Sequence, residues 1–294
     1  MMRQFVHGQS DFRGWVDATP ALIAAAPNGA RRGKTDHPRL PMTAAETARD
    51  AAECLEAGAA MLHLHIRDRE GRHSLDADAY RLAIDAVRAA TGGRMLIQAT
   101  TEAAGLYAPA QQAAMIRALK PKAVSLALRE LMGGPGGLGE AEIAALLLWM
   151  KREAVWPQFI LYDEADAQTF AALKGRGVIP FAQPFALFVL GRYSANLTSD
   201  PADLLPLLAA AGEAPGLWQL CAFGEREAEC MAAAMARGGH ARVGFENNLR
   251  LPDGRLAAAN ADLVRLCAQT AATLGRSVMD ADGARALMAA SLER

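Results

Sequence analysis

An excess of charge of either sign is missing from this chain. Its 31 Lys and Arg nearly cancel 32 Asp and Glu, leaving a formal net charge of −1. No global basic field exists to hold nucleic acid or an anionic membrane, so neither is expected as a partner. Cysteine is scarce: Cys54, Cys221, Cys230 and Cys267 form no CxxC and no compact framework. That argues against a disulfide scaffold and fits a reduced, cytoplasmic setting. No apolar run reaches about 18 residues, so no membrane span is expected. Residues 1–20 mix Arg, Asp, Gln and His without a long apolar core, so no signal peptide is expected either. Internal repeats and domain boundaries are absent, and Pro27-Asn28-Gly29-Ala30 does not supply the GxGxxG of a dinucleotide fold. Gly133-Gly134-Pro135-Gly136-Gly137 reads as a βα loop before it reads as a phosphate cradle.

What is present is a long, regular alternation. With 294 residues, 52% of them hydrophobic, the chain can bury a sizeable core. Residues 1–18 lack periodicity and read as an N-terminal extension packed on the domain or on a neighbouring subunit. Residues 19–294 read as one domain with a C-terminal helix. Apolar runs at 21–26, 59–66, 95–98, 122–126, 158–162, 185–190, 216–221 and 241–245 predict strands. Helices are predicted between them, the first opened by a capping box from Thr43 to Glu46. A helix over 201–210 should be kinked or shortened by Pro206. Eight such units predict a (β/α)8 TIM barrel, with a doubly wound open sheet as the rival.

A barrel carries its site at the C-terminal strand ends. His63-Leu64-His65 closes the second strand, and residues i and i+2 of a strand share one side. Two imidazoles there suit a divalent metal, against the alternative of two hydrogen-bonded core histidines. Strands two and eight are separated in the ring only by strand one, so Glu246 can complete a His63, His65, Glu246 set. Alone, Glu246 would pass for a solvated loop carboxylate. The other ends offer Asn28, Gln98, Thr100, Ser125, Tyr162, Glu164, Gly191, Arg192, Phe223, Glu225, Arg242 and Asn247. No histidine lies between His73 and His240, and His240 precedes its strand. A two-metal hydrolase is therefore poorly supported, and one metal acting as a Lewis acid on a carbonyl fits better.

Several stretches together resemble the β-keto acid cleavage enzymes. They are Asn28-Gly29-Ala30, Leu40-Pro41-x-Thr43, Gly58-Ala59, His63-Leu64-His65-Ile66-Arg67, Gln98-x-Thr100-Thr101, Phe188-Val189-Leu190-Gly191 and Gly239-His240-x-Arg242-Val243-Gly244-Phe245-Glu246. The resemblance implies a (β/α)8 barrel holding Zn2+ on His63, His65 and Glu246, although such ligands suit other divalent ions. It implies that a β-keto acid and acetyl-CoA, as cosubstrate, give acetoacetate and a new acyl-CoA by Claisen and retro-Claisen steps. It implies a homo-oligomer, a tetramer in the family. It puts Asn28, Arg31, Thr100, Thr101 and Ser125 near the substrate, and matches Arg242 to an arginine that polarises the catalytic carboxylate.

Two positions depart from the family. Its catalytic aspartate directly follows the metal-binding glutamate, and here that position is Asn247, whose amide cannot act as a base at neutral pH. Either Glu102 or a hydroxide on the metal takes the proton, or the chain runs a different or slower reaction: a keto-acid lyase or aldolase without CoA, or a weak carboxylate-binding barrel. Arg31 stands where a member with an amino substrate has glutamate. It either disfavours cationic substrates or points to solvent with Arg32. Cys221 reads as packing, His37 and His73 as loop residues. Arg67, Arg72 and Arg192 could meet CoA phosphates or be surface charge.

Overall fold

The computed structural model describes residues 19–293; the proposed N-terminal extension lies outside them. Eight parallel strands close into a barrel: β1 (Ile23–Ala25), β2 (Met61–Leu64), β3 (Leu96–Thr100), β4 (Ala123–Leu126), β5 (Trp156–Leu161), β6 (Phe185–Leu190), β7 (Leu217–Ala222) and β8 (His240–Val243). The open-sheet rival is excluded by closure: β1 pairs with both β8 (Ala24 opposite Arg242) and β2 (Ala24 opposite Met61). The helices are α1 (Ala44–Glu56), α2 (Ala77–Thr91), α3 (Pro109–Leu119), α4 (Leu128–Met132), α5 (Glu140–Arg152), α6 (Glu164–Gly175), α7 (Leu204–Ala211), α8 (Glu227–Met235), α9 (Asn260–Thr273) and α10 (Ala281–Leu292). Among the described residues no helix is long and apolar enough to cross a membrane.

Local chemistry explains the boundaries. Thr43 Oγ1 accepts the Glu46 N–H at 3.2 Å, and Glu46 Oε2 accepts the Thr43 N–H at 3.0 Å. These two bonds satisfy donors that the first turn of α1 leaves orphaned. Pro206 does not kink its helix. A 3-10 turn (Pro201–Asp203) leads into α7, so Pro206 falls in the first turn, where a missing N–H costs nothing. The short α4 and a small antiparallel pair, Ile66–Arg67 with His73–Ser74, left no periodicity long enough to read in sequence.

Outward strand residues and inward helix faces form one continuous apolar layer. A second cluster plugs the N-terminal end of the barrel, with Trp156 and Phe185 stacked at 4.7 Å between ring centroids. The interior above that plug turns polar, and there the site begins.

One buried carboxyl ties helix packing to pH. Asp50 on α1 accepts from Asn260 Nδ2 at 3.0 Å, and burial raises its pKa from 3.8 to about 7. The folded state therefore keeps a proton that the unfolded chain releases near pH 4. Stability falls as pH rises from about 4 to about 7, by at most about 4 kcal/mol. Thermal unfolding of Asp50→Asn is expected to show a flatter pH dependence over that window; an unchanged slope would refute the assignment.

Candidate metal centre and active site

The site is assembled on β2 and β8. Met61 and His63 face the barrel interior, whereas Leu62 and Leu64 pack outward under the helices. His65 lies one residue beyond β2 and is buried beside His63. After β8 the chain turns at Gly244, whose φ is +145° and where a Cβ would lie 2.4 Å from Ala26 O. This close approach brings the Glu246 N–H onto Ala26 O at 3.1 Å and its side chain over the loop after β1. Gly29 provides the space. A Cβ there would meet Glu246 Cγ at 2.5 Å.

The ligand atoms form a compact triangle. His63 Nε2 and His65 Nε2 are 3.0 Å apart, and Glu246 Oε2 lies 3.5 Å from the first and 3.6 Å from the second. Edges of about 3.3 Å are what a tetrahedral ion with bonds near 2 Å requires. Burial lowers the pKa of His63 to about 4, helped by the Arg242 charge; burial and the neighbouring His63 take His65 well below its usual value. Both rings are neutral at physiological pH and present lone pairs. Glu246 Oε2 is buried with no hydrogen-bond partner, while Oε1 accepts from Arg242 Nη2 at 3.1 Å. Two facing lone pairs and an orphaned carboxylate oxygen are a cation's donor set, and these residues fit a zinc-like divalent ion.

A chain of amides sets the tautomer of His63. Gln98 on β3, Gln158 on β5 and Gln219 on β7 project into the barrel from alternate strands, all buried. Gln219 Nε2 donates to Ala241 O at 2.7 Å, Gln158 Nε2 to Gln219 Oε1 at 2.9 Å, and Gln98 Nε2 to Gln158 Oε1 at 3.0 Å. Gln98 Oε1 therefore faces His63 Nδ1 at 2.7 Å. The Ala241 carbonyl only accepts, so every amide points one way, His63 carries its proton on Nδ1, and Nε2 is left for the ion. Nothing in the sequence singled out Gln158 or Gln219, since each sits inside an otherwise apolar strand.

The remaining strand ends divide. Asn28, Arg31, Thr100, Tyr162, Arg192, Phe223 and Arg242 line one cavity with His63 and Glu246; so do Arg32, Glu102, Ile160, Val189 and Leu197. Asn28 Nδ2 donates to Pro41 O and His65 O. Thr100 Oγ1 accepts from the Glu102 N–H and from Ser125 Oγ, both at 3.1 Å. Ser125 thus stands behind Thr100 rather than in the cavity wall. Thr101 also lies off the wall, its hydroxyl donating to Ser125 O at 3.0 Å. Asn247 is fully buried outside the lining, and both amide atoms lack partners. Arg31 lines the cavity with its side chain 54% exposed, its Nη1 2.6 Å from Glu102 Oε1.

Other candidates take structural roles. Arg67 donates to the carbonyls of Asn28, Gly29, Ala30, Arg32 and Gly71, stapling the loop after β1. Arg72 pairs on the surface with Asp68 and Glu70. His240 Nδ1 accepts the Leu22 N–H at the far end of the barrel. His73 Nε2 faces Glu102 O at 2.8 Å, and His37 Nε2 faces Ala257 O at 2.8 Å. Cys221 does more than fill space: its Sγ lies 3.2 Å from Arg242 Nη2, and burial raises its pKa to about 11.

The profile of the family described as beta-keto acid cleavage enzyme matches residues 20–289. The chain belongs to that family. Membership makes it an acyltransferase that breaks a carbon–carbon bond. It is 27% identical over 278 residues to a 3-keto-5-aminohexanoate cleavage enzyme from Fusobacterium nucleatum subsp. nucleatum, covering 91% of this chain and 97% of that protein. It is 26% identical over 276 residues to a 3-oxoadipate:acetyl-CoA acetyltransferase from Cupriavidus necator, covering 92% of this chain and 94% of that protein. Among solved structures, ObcA in a binary complex with oxaloacetate superposes with a TM-score of 0.68 at 16% identity, covering 86% of this chain and 67% of that one. This likeness concerns the barrel.

Loss of the amide that fixes the His63 tautomer weakens the donor set without touching a ligand. Gln98→Leu is expected to lower zinc affinity by about 10- to 100-fold, read by competition with a chromophoric chelator. Wild-type affinity in a folded variant would show that the amide chain has no part in metal binding.

Proposed function

We propose that the chain is a zinc-dependent β-keto acid cleavage enzyme that turns a β-keto acid and acetyl-CoA into acetoacetate and a new acyl-CoA. The observation that carries this reading is the His63, His65, Glu246 triangle at the mouth of a barrel of this family. A zinc ion on these three residues would supply a Lewis acid for the keto oxygen and the neighbouring carboxylate.

The proposed chemistry balances without a redox partner. A proton leaves the carbon between ketone and carboxylate, and that carbon attacks the acetyl thioester, expelling CoA thiolate. The thiolate then adds to the original ketone. The carbon–carbon bond breaks, acetoacetate leaves as its carbanion and takes back a proton, and the rest departs as acyl-CoA. Arg242 holds Glu246 Oε1 and thereby turns Oε2 toward the two imidazoles. Thr100 Oγ1 already accepts two hydrogen bonds, so its own proton is free to donate to a substrate oxygen. Asn247 has neither the chemistry nor the position for the proton transfer. Glu102 has both: apart from Glu246 it is the carboxylate in the cavity lining, and Arg31 holds Oε1 while Oε2 makes no hydrogen bond and lies 4.0 Å from His65 Nδ1. We assign it as the base.

Two measurements test this reading. Acetoacetate formation from a panel of β-keto acids is expected to require both acetyl-CoA and zinc, and to vanish in metal-stripped protein. Turnover without acetyl-CoA would favour the lyase or aldolase reading that Asn247 supports. Glu102→Gln is expected to lower kcat by about 10²- to 10⁴-fold and to slow exchange of the substrate α-hydrogens with deuterium. Wild-type exchange in that variant would remove Glu102 from the role.

A further inference from the structure

We propose that Arg192 forms an anion subsite for the far end of the substrate, which makes the preferred β-keto acid a short dicarboxylate. The inference deepens, and as a statement about turnover rests on, the reaction proposed above.

Four arginines line the cavity: Arg31, Arg32, Arg192 and Arg242. Three are committed. Arg31 is paired with Glu102 at 2.6 Å. Arg32 Nη1 donates to Phe245 O at 2.7 Å and its Nη2 to Asn247 O. Arg242 serves Glu246 and Cys221. Arg192 alone has no hydrogen-bond or ion-pair partner among the described residues. Its guanidinium lies 5.4 Å from the Tyr193 ring centroid and 5.6 Å from that of Phe223. Neither ring offers a carboxylate or carbonyl acceptor, so the guanidinium N–H groups stay available for a carboxylate, which a guanidinium binds with two parallel bonds.

Its position decides what that anion is. Arg192 follows β6, and the histidines end β2; in a ring of eight strands these two are opposite. A parallel eight-stranded barrel is roughly 15 Å across between backbones. Side chains reach inward from both sides, so the gap left matches a short acyl chain rather than a long one. The wall around Arg192 is apolar: Ile160, Val189, Leu197 and Phe223, from β5, β6 and the loops after β6 and β7. A molecule spanning the cavity therefore has a polar head at the histidine pole, a few methylenes on that wall, and an anion at Arg192. A β-keto dicarboxylate has this pattern. A cationic tail would instead meet an uncompensated positive charge across apolar surface, where repulsion is strong.

The test compares Arg192→Met with the wild type on a β-keto dicarboxylate, 3-oxoadipate, and its neutral counterpart 3-oxohexanoate. The ratio of kcat/KM for the acid over the neutral substrate is expected to favour the acid in the wild type. It is expected to fall by about 10- to 100-fold in the variant, through KM rather than kcat. Arg192→Glu should move preference toward an amino-tailed substrate. If Arg192 instead binds CoA phosphates, KM for acetyl-CoA rises and both acids suffer alike, which overturns the proposal. Calorimetry with adipate and hexanoate on zinc-loaded protein gives a readout free of catalysis. A wild-type preference for adipate that Arg192→Met abolishes supports the subsite even if no acetoacetate is formed. Equal binding of the two overturns it even if acetoacetate is formed.

Discussion

The site depends on closure of the sheet. Of its three donor residues, His63 lies on β2, His65 just beyond it and Glu246 just beyond β8, and only the strand-to-strand bonding of β1 to both strands brings those segments within reach. Parallel pairing then fixes height as well as direction. Ala24 stands opposite Met61 on one side and Arg242 on the other, so His63 and Glu246 emerge at the same rim. The glycines at 29 and 244 convert proximity into contact, because a side chain at either would occupy the space of Glu246 or of the Ala26 backbone. The triangle is therefore a product of topology and of two missing Cβ atoms.

Burying polar groups inside a barrel demands full hydrogen bonding, and the amide chain meets that demand. Three glutamines on alternate strands satisfy one another and end on a carbonyl that needs no further donor. Below them the plug is apolar; above them lie the hydroxyls, arginines and imidazoles. Interior polarity thus rises toward the mouth, and the glutamines join the two regimes while passing directional information to His63.

Local periodicity made the strands and helices legible, and period-2 geometry made the histidine pair legible, because both depend on neighbours in sequence. The pairing with Glu246 could be reasoned because strand order in a barrel follows chain order. The amide chain could not, since Gln98, Gln158 and Gln219 are linked by bonds 60 and 61 residues apart in sequence. Likewise Thr100 and Thr101 are alike as letters, but the pleat sends one hydroxyl to the cavity and the other to a neighbouring strand. Arg31, Arg67 and Arg192 are equally indistinct in sequence. Only the structure shows one neutralised by a carboxylate, one absorbed by loop carbonyls and one left without a hydrogen-bond or ion-pair partner among the described residues.

The order of the ligands along the chain has a consequence for maturation. His63 and His65 are synthesised before six of the eight barrel strands, and Glu246 arrives after the last of them. A growing chain can offer an ion two imidazoles at most, on a strand whose β8-side closure does not yet exist. The complete donor set appears when the ring shuts. Capture of an ion by this trio would therefore follow closure of the ring, and such an ion would act as a clasp across the seam where the two ends of the barrel meet.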